Sequence, residues 1–213
     1  FKLSIGARLA VGAFILFLLI FSGSSNLLAA TPAVDWGRVP AVDWDRVIEE
    51  NSGSPGFDLK SHLYLAIAYA NTGRLARAKE EFQLIGKGGY VEFGRQVIEE
   101  SNARLKRDPN DIMALNCLAF TYYAFERYSE ALSHFLKLAE LDSRNVWVRQ
   151  YLALVYGKLG LLDKGIETLR EAVELDPKNE YSHLLLGLAY QEKKWYVLAL
   201  LEFAKAPNAI REL

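Results

Sequence analysis

The C-terminal half of the sequence repeats itself with a period of 34 residues. When the chain is aligned with itself at that shift, large and small side chains keep their positions through three copies. A period of this length, with apolar residues three and four positions apart in each copy, is typical of stacked helical units. The aligned columns are Leu118, Leu152 and Leu186; Ala119, Ala153 and Gly187; Tyr122, Tyr156 and Tyr190; Tyr128, Leu162 and Tyr196; Ala131, Gly165 and Ala199; and Phe135, Leu169 and Phe203.

Each column has a packing role. Small residues such as Ala119 let the two helices of a unit approach closely, while Leu118 and Phe135 fill the space between them. Pro109 and Pro177 stand at junctions between units, where they end one helix before the next begins. The pattern therefore predicts two antiparallel helices in each unit.

The columns resemble those of the tetratricopeptide repeat family, which stacks such helix pairs into an α-solenoid. An earlier copy, marked by Leu65, Ala66 and Tyr69, fits the same columns but is separated from the other three by an additional stretch. We expect an all-α fold, a solenoid of antiparallel helix pairs preceded by one hydrophobic helix. The expected organisation is a hydrophobic N-terminal helix at 1–30, a linker with a short helix at 31–57, a first repeat at 58–89, an extra helix at 90–108 and three repeats at 109–213.

Residues 9–21 form an apolar run without a charged residue, and Lys2 and Arg8 precede it. The run is compatible with a secretory signal peptide or with a membrane anchor. As a helix over about residues 3–30, at about 1.5 Å per residue, it is long enough to cross a bilayer. The positive charges before it place the N-terminus in the cytoplasm and the repeats outside. The residues expected in the membrane or core segment are Leu9, Phe14, Phe17 and Phe21.

A second interpretation of the same segment follows from its first residue. A hydrophobic helix beginning at Phe1 resembles the mature chains of type IV pilins, whose N-terminal helices form a filament core. The sequence departs from that family at Ile5, where pilins usually carry Glu, and at Lys2 and Arg8, which would bring charge into the core. Membrane anchor and filament core both remain open.

The linker contains a tandem duplication, PAVDWGRV at 32–39 and PAVDWDRV at 40–47. Its prolines interrupt any helix continuing from the hydrophobic segment, and the second copy is able to begin a short helix. Trp36 and Trp44 are either anchors at a membrane interface or on a neighbour, or packing residues on the first repeat.

We find no constellation of catalytic residues in the sequence, and we expect no cofactor and no metal. His62 and His183 occupy equivalent positions of separate repeats, so they cannot converge on one ion. Cys117 lies among apolar residues, as expected of a buried structural thiol. A net charge of −1 provides no basic surface for nucleic acid.

The resemblance implies that the first helix of each pair lines a concave surface suited to an apolar helix or an extended segment. The alternative is that these residues complete the packing or contact the protein's own N-terminal segment. The residues predicted for this partner groove are Asn116, Phe120, Tyr123, Trp147, Gln150, Leu154, Tyr181, Leu184 and Leu188.

The last long helix, about residues 195–206, carries only Glu202 and Lys205 as charged residues. A helix that is apolar on all sides is normally buried on all sides. We therefore predict a subunit interface there, unless residues 208–213 fold back over it through Ile210 and Leu213. The predicted interface residues are Trp195, Val197, Leu198, Leu200 and Leu201.

Together these features predict a non-enzymatic scaffold for protein–protein interaction, anchored in the membrane, that assembles or stabilises a larger complex on the extracytoplasmic side. The expected partners are other proteins or further copies of the chain, with membrane lipid around the N-terminal helix. The alternative is a structural subunit of a pilus-like extracellular filament, with the hydrophobic helix in its core and the repeats outside.

Overall fold

The computed structural model describes residues 42–52, 58–87 and 90–211. Over these ranges every regular element is an α-helix, which confirms the predicted all-α solenoid. The helices are α1 (Trp44–Ser52), α2 (Leu59–Asn71), α3 (Leu75–Lys87), α4 (Tyr90–Arg107), α5 (Ile112–Ala124), α6 (Tyr128–Leu141), α7 (Val146–Lys158), α8 (Leu162–Leu175), α9 (Glu180–Glu192), α10 (Tyr196–Phe203) and α11 (Pro207–Arg211).

Four helix pairs form the repeats: α2 with α3, α5 with α6, α7 with α8, and α9 with α10. The first helix of every pair begins in the same way, with an Asp or Asn side chain that accepts a hydrogen bond from a backbone N–H of the first turn. Such a cap satisfies a donor that has no partner within the helix. The capping residues are Asp58, Asp111, Asn145 and Asn179, which occupy one column of the repeat.

The turn inside each pair is also repeated. A residue with positive φ follows the first helix, and the next backbone N–H donates to the carbonyl of the tyrosine that recurs in each repeat, as in a Schellman-type helix end. Glycine tolerates this backbone conformation without cost at two of the four turns. The turn residues are Gly73 (φ 74°), Glu126 (φ 59°), Gly160 (φ 74°) and Lys194 (φ 62°).

Helix α4 interrupts the series, because it lies between the first and second repeats and packs along α5. Arg104 of α4 forms two hydrogen bonds to the carboxylate of Asp111, at 2.7 and 3.0 Å. The same carboxylate caps α5 through the backbone N–H of Ala114. Burial raises the pKa of Asp111, but these hydrogen bonds outweigh it and hold the pKa below its ordinary value.

The N-terminal part of the described chain covers the first repeat. Helix α1 packs against α2, and Trp44 is partly buried against the main hydrophobic cluster, so Trp44 packs on the first repeat. Trp36 and the membrane or core segment with Leu9, Phe14, Phe17 and Phe21 lie outside the described residues. Within the described ranges, none of the helices has the length and apolarity needed to span a bilayer.

Candidate interaction surface

We call the surface lined by the first helix of each pair the inner surface. Beside the first repeat it is filled by aromatic side chains. Phe120 is 7% exposed. Its ring centroid lies 5.6 Å from that of Phe82 on α3, 5.4 Å from Phe135 on α6 and 4.8 Å from Tyr151 on α7. Phe120 therefore joins three repeats and is not available to a partner.

Polar contacts also join the first repeat to both of its successors. The side-chain amide of Asn71 donates to Asn116 Oδ1 at 3.0 Å, and Asn71 Oδ1 accepts from Asn145 Nδ2 at 3.3 Å. The ring of Trp147 lies directly over Gly73, where a side chain would collide with it. The first repeat thus contacts the third repeat directly, which closes the inner surface at this end.

Four residues predicted for the partner groove are consequently buried, and this part of the prediction is wrong. Gln150 Nε2 donates to Asn179 Oδ1 at 2.9 Å and to Ser182 Oγ at 2.8 Å, so it joins the third repeat to the fourth. The physical reason is that these side chains connect adjacent helices and leave no accessible face. The buried residues are Asn116, Phe120, Gln150 and Leu184.

The remaining predicted groove residues are partly exposed, and most of them lie toward the C-terminal repeats. The rings of Trp147 and Tyr181 are in contact, with centroids 6.4 Å apart. Burial raises the pKa of Tyr123, whose ring packs edge-on against Tyr128. The partly exposed residues are Tyr123, Trp147, Leu154, Tyr181 and Leu188.

Helix α10 presents the most exposed apolar side chains of the C-terminal repeat. Val197 is 73% exposed, Leu200 68% and Leu201 55%, and Leu198 is also exposed. Their spacing places them around the side of α10 opposite Ala199, which is buried in the core. We call Val197, Leu198, Leu200 and Leu201 the C-terminal apolar face; Trp195 is exposed just before the helix begins.

Equivalent positions in the other repeats show that this face is unusual. In the third repeat, the positions of Val197, Leu198 and Leu201 are occupied by polar residues on the solvent side. In the second repeat they are again polar, so three columns that are polar in the second and third repeats become apolar in the last repeat. The polar counterparts are Asp163, Lys164 and Glu167 in the third repeat and Ser129, Glu130 and Ser133 in the second.

Residues 207–211 fold back, but onto a different helix, and Leu213 lies outside the described residues. The carboxylate of Glu180 accepts hydrogen bonds from the backbone N–H groups of Asn208 and Ala209, at 2.7 and 3.0 Å. These bonds hold α11 against α9, with Ala209 buried, while Ile210 remains exposed. Helix α11 therefore leaves the C-terminal apolar face uncovered.

The buried histidines of the first and last repeats have structural partners. His62 Nδ1 lies 2.5 Å from a Glu81 carboxylate oxygen, a contact that joins the two helices of the first repeat. In the last repeat, His183 Nδ1 lies 2.6 Å from a Glu202 carboxylate oxygen and joins α9 to α10 in the same way. Burial raises the pKa of Cys117 to about 12, so its thiol stays protonated at neutral pH. Among residues 42–52, 58–87 and 90–211, no group of His, Cys, Asp or Glu is arranged to hold a metal ion.

Comparison with known proteins agrees with this geometry. Residues 151–179 match the tetratricopeptide repeat family. The fold is a tetratricopeptide-type α-solenoid. Over 71 residues the chain is 32% identical to anaphase-promoting complex subunit 3 of Dictyostelium discoideum, a match that spans 33% of this chain and only 7% of that protein.

Solved structures of MamA share the solenoid fold. MamA 41-end from Desulfovibrio magneticus RS-1 is 23% identical, with a TM-score of 0.52, over 76% of this chain and 78% of that chain. The MamA RS-1 ArsTM double mutant is 21% identical, with a TM-score of 0.52, over 79% and 83% of the two chains. At this level of identity the likeness concerns the fold alone.

Proposed function

We propose that the protein is a membrane-anchored scaffold that holds protein partners through the C-terminal apolar face. The observation that carries this proposal is the replacement of the polar residues Asp163, Lys164 and Glu167 by Val197, Leu198 and Leu201 at equivalent positions. Each of these side chains, when covered, contributes roughly 1–2 kcal/mol relative to exposure. A solvent-facing helix side with no role in binding has no physical reason to carry them.

The architecture supports binding without catalysis. The buried histidines are occupied by structural contacts, such as that between His183 and Glu202. Repeats of this kind form rigid surfaces because each unit packs on its neighbours. The scaffold function is therefore the activity that the described geometry favours.

The N-terminal segment supplies the proposed tether. The apolar run at 9–21 follows Lys2 and Arg8, and this charge pattern favours a cytoplasmic N-terminus with the repeats on the extracytoplasmic side. We expect the full chain to stay in the membrane fraction during alkaline carbonate extraction, and a version without residues 1–30 to be released. Release of the full chain would contradict the anchor.

The scaffold proposal is tested by native electrophoresis of mild-detergent extracts. The wild-type chain should migrate in an assembly larger than its 24.0 kDa monomer. The double variant Leu200→Lys with Leu201→Lys should migrate as the monomer, because two charges cannot be buried in an apolar contact without partners. The matched control is Ser133→Lys with Glu167→Lys, which places two lysines in the Leu201 column of the second and third repeats and should keep the assembly. An unchanged assembly in the Leu200 and Leu201 variant would sink the proposal.

A further inference from the structure

We infer that the C-terminal apolar face is covered by a second copy of this chain, with α10 packed against α10 of the partner about a two-fold axis. This inference rests on the proposed function and specifies the partner at the same face. It makes the protein a homodimeric scaffold joined through its last repeats.

A following repeat of the same solenoid would not account for the exposed residues. The column of Leu200 is packed inside the array in earlier repeats, where it holds Leu132 and Ile166. The columns of Val197 and Leu201, by contrast, face solvent in the third repeat even though the fourth repeat follows it. Continued stacking would therefore cover Leu200 and leave the rest of the face in water.

The area of the face suits a small specific dimer. The exposed parts of Val197, Leu200 and Leu201 and of the adjacent Tyr196 amount to about 500 Å², so pairing two copies with full coverage buries at most about 1,000 Å² in total, the size at which specific interfaces begin. A two-fold contact uses the same patch on both subunits, so one apolar face is sufficient. No second complementary surface has to exist elsewhere on the chain.

The charge around the face permits self-association. Glu202, the only acidic residue of α10, turns inward to His183 at 2.6 Å and accepts a hydrogen bond from Lys205 at 3.1 Å. The four face residues themselves are uncharged, so two copies bring no like charges together at the centre of the contact. The small exposed Ala204 follows the face and allows two helices to approach closely.

Cysteine cross-linking of the full chain tests the inference. The native Cys117 is buried and holds its proton, so an introduced surface cysteine is the reactive thiol. Val197→Cys, Leu200→Cys and Leu201→Cys are treated separately with a short bifunctional maleimide in mild detergent. The matched controls are Asp163→Cys and Glu167→Cys, which lie in the columns of Val197 and Leu201 one repeat earlier.

A product of twice the monomer mass from at least one face position, and from neither control, is the expected result. Adding Leu200→Ala to the Val197→Cys or Leu201→Cys variant should weaken self-association by about 100-fold, since the truncation occurs in both subunits and each central contact is worth about tenfold. Absence of a homodimer from all three face positions would overturn the inference. If the native-gel assembly still depends on Leu200 and Leu201 in that case, the scaffold function stands and the occupant is a different protein. If that dependence is also lost, both proposals fail.

Discussion

Replacing Phe120 with alanine removes a side chain that contacts all of the first three repeats. Its ring is 7% exposed and contacts the rings of Phe82, Phe135 and Tyr151, with centroids 4.8–5.6 Å away. A residue that merely lined an open groove would make fewer contacts. The substitution therefore tests whether the first repeat closes the inner surface.

The expected loss is large. Truncation of a buried phenylalanine typically costs about 3–5 kcal/mol of the free energy of unfolding, because the transfer energy is lost and a cavity remains. The matched control is Leu188→Ala, which lies in the same repeat column but is only partly buried. Its cost should be about 1–2 kcal/mol, since part of the leucine surface is already in water.

Urea denaturation of both variants, followed by far-UV circular dichroism, measures the difference. Phe120→Ala should also make the segment containing α2 and α3 the first to be cleaved in limited proteolysis, since its contacts to later repeats are weakened. If Phe120→Ala costs no more than Leu188→Ala, the first repeat does not cover Phe120 and the inner surface is open.

Two further predictions concern the junctions. Asp111→Asn should lower the free energy of unfolding by about 1–3 kcal/mol at neutral pH, through loss of the charged contact to Arg104. The folded-state pKa of Asp111 is lowered, so the carboxylate stabilises the fold at pH values above its unfolded-state pKa. The difference in free energy of unfolding between variant and wild type should therefore vanish as the pH falls through the folded-state pKa. Urea midpoints across that acidic range test this, and a constant difference would refute it. Gly187→Ala should destabilise the last repeat, because the added carbon would lie 2.5 Å from two ring atoms of Phe203. The matched control is Gly157→Ala, whose added carbon meets nothing within 4 Å. This control should gain up to about 1 kcal/mol of stability from helix propensity. Equal thermal midpoints for the two glycine variants would contradict the close helix approach.

The sequence was sufficient to predict the helix pairs, because each repeat column marks a side chain that contacts its own repeat or the adjacent one. The columns of Leu118 and Phe135 predict the packing inside a repeat, and both side chains are buried. The turn column with Gly73 and the capping column with Asp111 are further regularities that a closer alignment of the repeats could have shown.

The filled inner surface could not be read from the same columns. The hydrogen bond between Asn71 and Asn145 joins residues 74 positions apart, and it skips the second repeat altogether. A one-dimensional repeat pattern describes only nearest neighbours. The extra helix α4 indicated that the first repeat departs from the regular series. Only the three-dimensional arrangement shows which later repeats the first repeat contacts.

The exposed face was predictable for a different reason. Leu198 and Leu201 stand where Lys164 and Glu167 stand one repeat earlier, so the departure from polarity is visible in the sequence alone. The structure adds that α11 packs on α9 and leaves these side chains exposed. Their role in binding remains a proposal.

Carbene footprinting of the protein in intact cells tests the central claim most directly. Mass spectrometry would compare labelling of α10 at Val197–Leu201 with labelling of the matched α8 positions 163–167. Both are measured before and after the protein is diluted into a detergent that separates complexes. A covered C-terminal apolar face predicts that α10 is protected in the intact cell and becomes labelled after separation, while α8 is labelled equally in both states. Equal and high labelling of α10 in both states would show that nothing binds there and would contradict the account.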